Sequence, residues 1–136
     1  MSLGTSSPEL RDDTCSVRVL TVDDQELFRQ VAADVISATP GFEAVGEASG
    51  GREALNAVDA LAPDLVLLDV RMPDLDGIEV ARRLGSTHPD TVIALISIEE
   101  RIDLPSAAQL GEGVAFVRKQ DFGPRLLRHV WSRHRR

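Results

Sequence analysis

The chain has a single cysteine, Cys15. No disulfide framework can form within one chain, which fits a reducing compartment. No apolar run approaches the roughly 20 residues needed to span a bilayer. The N-terminus lacks a basic start followed by an apolar block, so no secretory signal is expected and the expected location is the cytoplasm. The three histidines, His88, His129 and His134, are scattered, and this disfavours zinc. No Gly-x-Gly-x-x-Gly or Gly-Lys-Ser/Thr segment follows the first predicted strand, which removes the usual nucleotide-phosphate loops.

What is there is enough for one core. The chain has 136 residues, 43% of them apolar, a size and composition that suit one folded domain. Its net charge is −7 and unevenly spread: from Arg118 onward seven basic residues and one acid give +6, so the remainder carries −13. An acidic body argues against this domain itself gripping nucleic acid. The basic end suits the last turn of a helix, where cations are favoured.

Periodicity predicts five strands alternating with five helices. Residues 1–16 read as a flexible leader or appended tail, and 17–136 as the domain, with a linker starting at its basic end. Strands are expected at 17–22, 43–47, 64–69, 91–97 and 114–117. Helices are expected at 25–38 (on Leu27, Val31 and Val35), from Gly50-Gly51 to Pro63, around 78–84, around 106–110, and from Pro124 onward. Strands this apolar, each followed by a helix, predict an α/β fold: a doubly wound five-stranded parallel sheet with helices on both faces. The flavodoxin-like order 2-1-3-4-5 is a known arrangement of such sheets, not something that spacing dictates. It would make strands one and three neighbours. Ligands of such sheets bind outside the carboxyl ends of the strands, where the winding reverses.

Acids stand at that edge. The first strand runs into Asp23-Asp24, and Leu65-Val66-Leu67-Leu68 runs into Asp69. Three close carboxylates repel one another unless a cation joins them, and Mg²⁺ is the hard divalent ion that combines a few carboxylates with waters and phosphate oxygens. Ser97 ends the fourth strand and Lys119 follows the fifth. Hydroxyl, ammonium and carboxylates at one rim suit phosphoryl transfer, and a carboxylate can itself be the nucleophile. Asp74 and Asp76 belong to a Pro-Asp-x-Asp-Gly turn and read as turn and cap residues, not as ligands. Phe116 taken alone reads as core.

Together, Val22-Asp23-Asp24, the run from Leu67 to Gly77, Ser97 and Lys119 resemble the receiver domain of two-component response regulators over residues 17–130. The resemblance implies that Asp69 accepts a phosphoryl group from a sensor histidine kinase. It implies that Asp23, Asp24, Asp69 and the backbone carbonyl of Arg71 hold Mg²⁺, that Lys119 pairs with the phosphoryl oxygens, and that Ser97 and Phe116 form the switch. The domain would then be a signalling phosphoacceptor, not an enzyme acting on a separate substrate. Val22 to Arg29 and Gly46-Glu47-Ala48 are similar to receivers of LuxR-type transcriptional regulators. That implies a DNA-binding domain not present in this sequence, and a homodimer through the fourth helix, fifth strand and fifth helix. A stand-alone or degenerate receiver acting through protein contacts is the alternative. A haloacid-dehalogenase-like phosphatase needs a second Asp two residues after the nucleophile, where this chain has Arg71.

The sequence departs from the family in three places. Ile98 follows Ser97 where a small residue is usual, and is expected to restrict access to the site. Gln120 follows Lys119 in place of proline, so a trans bond and a differently running loop are expected. Pro105, Gly111 and Gly113 bracket the fourth helix, which should be short or shifted.

Overall fold

The run Leu65–Asp69 is buried at every residue, as expected of a strand covered on both faces. The computed structural model describes residues 16–98 and 113–135. In chain order these form β1 (Val17–Val22), α1 (Glu26–Ala38), β2 (Phe42–Ala48), α2 (Gly51–Leu61), β3 (Leu65–Asp69), α3 (Gly77–Thr87), β4 (Val92–Ser97), β5 (Val114–Arg118), a 3-10 turn (Lys119–Asp121) and α4 (Pro124–His134). The expected helix at 106–110, with Pro105, Gly111, Cys15 and most of the leader, lies outside the described residues.

The sheet is parallel in the order β2-β1-β3-β4-β5. Alternate residues serve opposite faces. Leu20, Val22, Val66, Leu68, Ile93 and Leu95 pack with Ala54 and Val58 of α2 and Val80 and Leu84 of α3. Val17, Val19, Leu65, Leu67, Val92, Ala94 and Ile96 pack with Ala32 and Ile36 of α1 and Leu127 and Val130 of α4. The predicted doubly wound fold is therefore present.

Two expectations need correcting. Leu27 and Val31, read as the buried face of α1, are 74% and 46% exposed. The helix is rotated so that Phe28, Ala32 and Ile36 face the sheet, one step along from the predicted stripe. Phe116 alternates outward in β5 and is 38% exposed, so it is not a core residue. The bond before Gln120 is trans, as expected and as is every described peptide bond, and Lys119 opens a 3-10 turn closed by an Arg118–Asp121 ion pair of 3.0 Å.

Loop chemistry sets the other ends. Asp76 Oδ1 accepts from the Ile78 amide at 2.7 Å and caps α3. Asp74 reaches across to α2, accepting from the Gly51 and Arg52 amides at 3.0 and 3.1 Å. Those amides hold the Asp74 carboxyl below its ordinary pKa, as donors to an exposed helix start should. Both residues are thus cap residues, as read, but Asp74 caps a helix that precedes it in the chain.

Candidate functional site: an acidic cleft at the carboxyl edge of the sheet

Parallel pairing brings the carboxyl ends of the strands to one edge. Val22 of β1 pairs with Leu68 of β3, which sets Asp23 level with Asp69. Asp69 pairs with Ile96, and Ser97 with Arg118, so Ser97 and Lys119 arrive one step further along. An open cleft of about 240 Å³ is lined by Asp24, Gln25, Asp69, Arg71, Ser97, Ile98 and Lys119. The structure thus brings together Asp69, Asp24, Ser97, Lys119 and Arg71, with buried Asp23 behind them. Phe116 is not among the residues lining the cleft.

Three carboxylates dominate the electrostatics. Asp23, Asp24 and Asp69 each offer an oxygen, and these atoms lie within 4.8 Å of one another. Asp23 and Asp69 are buried; Asp24 is exposed. Burial pushes the Asp69 carboxyl up to about 6, and the Asp23 charge adds to the rise. The Arg71 amide, donating to Asp69 Oδ1 at 3.2 Å, and the Lys119 ammonium oppose it. The carboxylate form is therefore destabilised yet still predominates at neutral pH.

Lys119 answers Asp23. Its Nζ lies 2.7 Å from Asp23 Oδ2, but the approach is not aligned as a hydrogen bond, and this buried oxygen has no hydrogen-bond partner. The other oxygen, Oδ1, accepts from the Gln25 amide at 2.8 Å. A buried oxygen without a hydrogen bond, beside two more carboxylates, is a donor set of hard oxygens suited to a hard divalent ion.

Sequence reasoning missed three neighbours. Gln25 Oε1 accepts from Lys119 Nζ at 3.3 Å, across 94 residues of chain. Phe28 lies under the same ammonium, 4.5 Å from it to the ring centroid. Arg29 donates to the Asp23 carbonyl at 2.7 Å and pairs with Glu47 at 3.0 Å. Gln25 adjoins the acid pair, which is a weak signal. Nothing in the sequence ties Phe28 to a lysine that follows the last strand.

A fold and cleft of this kind define a phosphoacceptor-type α/β domain. The model of the response regulator receiver domain family matches residues 19–130, and the chain belongs to that family. It is 41% identical over 100 residues to a protein-glutamate methylesterase/protein-glutamine glutaminase of Nocardioides, covering 73% of this chain and 27% of that protein. Response regulator GacA of Pseudomonas viridiflava is 37% identical over 90 residues, 66% of this chain and 42% of that one. The signal receiver domain of NarL from Mycobacterium tuberculosis superposes with a TM-score of 0.77 at 34% identity, covering 86% and 94% of the two chains. Two LuxR-family response regulators, from Aurantimonas and Staphylococcus aureus, share the fold, with TM-scores of 0.76 and 0.78 at 23% and 22% identity. The chain spans about a quarter to two-fifths of the length of these curated relatives. Among the described residues no helix is long and apolar enough to cross a membrane.

Proposed function

We propose that Asp69 is the phosphoacceptor and that a sensor histidine kinase is the donor. A carboxylate oxygen of Asp69 attacks phosphorus, the P–N bond of the phosphohistidine breaks, and the imidazole leaves. Asp69 is buried enough to lose hydration, yet with a pKa of about 6 it stays ionised at neutral pH. Its opening to the cleft beside Ser97 and Lys119 is the observation that carries this reading.

Mg²⁺ is the ion that fits the three carboxylates; Asp23, Asp24, Asp69 and the Arg71 carbonyl would hold it. When bound it neutralises charge on the transferring phosphoryl oxygens. Lys119 supplies a second positive charge there. Ser97 donates its hydroxyl to a phosphoryl oxygen, and Phe116, exposed at 38%, is the aromatic free to move inward as it does so. The receiver domain takes in residues 17–136. It works in the cytoplasm and has no substrate turnover beyond its own phosphorylation and dephosphorylation. The output is transcriptional, through a DNA-binding domain outside this sequence, with dimerisation across β5, α4 and the segment at 106–110. The LuxR and NarL likenesses support that output; the methylesterase relatives support a different effector on the same kind of receiver.

The test is incubation with acetyl phosphate and Mg²⁺ followed by intact mass. One added phosphoryl group is expected, absent in EDTA and absent from Asp69→Asn. An adduct of equal yield in Asp69→Asn would overturn the assignment. So would the lack of any adduct together with the lack of Mg²⁺-dependent beryllofluoride binding.

A further inference from the structure

Lys119 is the sole lysine of the chain; the other fourteen of its fifteen cationic side chains are arginine. An ammonium is a compact point charge on a flexible stem, whereas a guanidinium is a planar fork. The side chain that carries it is 13% exposed and meets three groups at once: Asp23 Oδ2 at 2.7 Å, Gln25 Oε1 at 3.3 Å, and the Phe28 ring at 4.5 Å from its centroid. The Asp23 contact is not hydrogen-bond aligned. Charge attraction alone therefore does not fix the direction of the ammonium. Gln25 and Phe28 do so from the α1 side.

Phe28 is itself held. Its ring packs against Phe122 at 5.7 Å between centroids and 59° between planes. Phe122 immediately follows the 3-10 turn that Lys119 opens. Lysine, its aromatic support and the ring that braces that support thus form one unit between α1 and the segment after β5. Where the chain has Gln120, this turn brings Phe122 back over α1.

We infer that Phe28, braced by Phe122 and assisted by Gln25, is a positioning residue that holds the Lys119 ammonium in a resting place beside Asp23, and that this hold is exchanged for the phosphoryl oxygens when Asp69 is modified. The inference rests on the phosphoacceptor reading above. It adds that the lysine is not simply waiting at the phosphate site: it must be withdrawn from an aromatic face. A cation on an aromatic face gains about 0.5–2 kcal/mol, so the hold weakens phosphoryl-analogue binding by roughly two- to thirty-fold.

The sole lysine makes the test direct. Labelling with ¹³C-lysine gives one ε-methylene signal. In the Mg²⁺-loaded protein, ring current from Phe28 places it upfield of an exposed lysine. Adding beryllofluoride is expected to move it toward the exposed position. Phe28→Leu should abolish the upfield shift and tighten beryllofluoride binding by the factor above, while Phe28→Tyr restores both resting values. Gln25→Ala, at an exposed position, should tighten binding more weakly and without loss of stability. If Phe28 only packs the core, Phe28→Leu lowers the melting temperature but leaves analogue affinity unchanged, and the inference fails. An ε-methylene signal that stays upfield in the beryllofluoride complex also overturns it, while the phosphoacceptor reading survives. Failure of beryllofluoride to bind the native chain overturns both.

Discussion

Asp69 is stabilised in its protonated form, and the consequence for stability has a definite sign. Its folded pKa, about 6, lies above the unfolded value of 3.8. The stability that proton binding contributes is full below 3.8 and is lost as pH rises through 6. Asparagine mimics the protonated acid at every pH. In EDTA at about pH 7.5, Asp69→Asn should melt above the native chain, and the gap should close on acidification toward pH ~4. A gap that is constant with pH would contradict the assignment of the shift to this residue. Mg²⁺ should raise the melting point of the native chain and leave the variant nearly unmoved. Ile98 is the other residue with a clear expectation. It lines the cleft yet is 71% exposed, so it walls the mouth without filling it. Ile98→Ala should speed both acetyl phosphate labelling and loss of the label, as read by timed intact mass. Unchanged rates in both directions would remove the idea.

Helix ends and the loop after β3 carry the chain's sharpest local constraints. Ala62 ends α2 in the left-handed region, at φ 47° and ψ 58°, where a Cβ is unfavourable. The strain is tolerated because Arg18 reaches the helix end and donates to the Leu61 and Ala62 carbonyls at 2.6 and 2.8 Å. Ala62→Gly should raise stability by about 0.5–1 kcal/mol in urea unfolding. Gly77 is constrained by proximity: a Cβ there would lie 2.1 Å from the Asp69 carbonyl oxygen. Gly77→Ala must therefore displace the backbone of the proposed phosphoacceptor. It should cost about 1–3 kcal/mol and reduce labelling as well, a pairing that urea unfolding and intact mass can check together. Elements of this kind were only partly legible in the sequence. Strong apolar runs placed all five strands to within one residue, because a buried strand cannot hide its composition. The face of α1 was misjudged by one step, because Leu27 and Phe28 are adjacent and equally apolar. Asp74 could be read as a cap but not assigned to α2, since only the folded sheet brings its loop to that helix.

At the scale of the whole molecule, the legible part was the βα alternation and the acids at strand ends. From these, the edge where Asp23, Asp24, Asp69, Ser97 and Lys119 meet follows once the strand order is supplied. What could not be read was the company kept by each group, because contacts such as Gln25 with Lys119 depend on how helices rotate against the sheet. The charge distribution has its own outcome. Residues before Arg118 carry −13 of the formal charge, so an anionic small-molecule donor approaches a repelling body. With Mg²⁺ kept saturating, acetyl phosphate labelling should quicken as ionic strength rises and screening improves. A rate that falls with salt would mean that the local cations Arg71 and Lys119 outweigh the body. The lone ε-amino group also bears on practice. Amine-directed coupling to a sensor chip, a dye or a cross-linker has, apart from the chain terminus, one target in this protein, and that target is the proposed site. A sample attached through Lys119 would read as signalling-dead although its fold was intact.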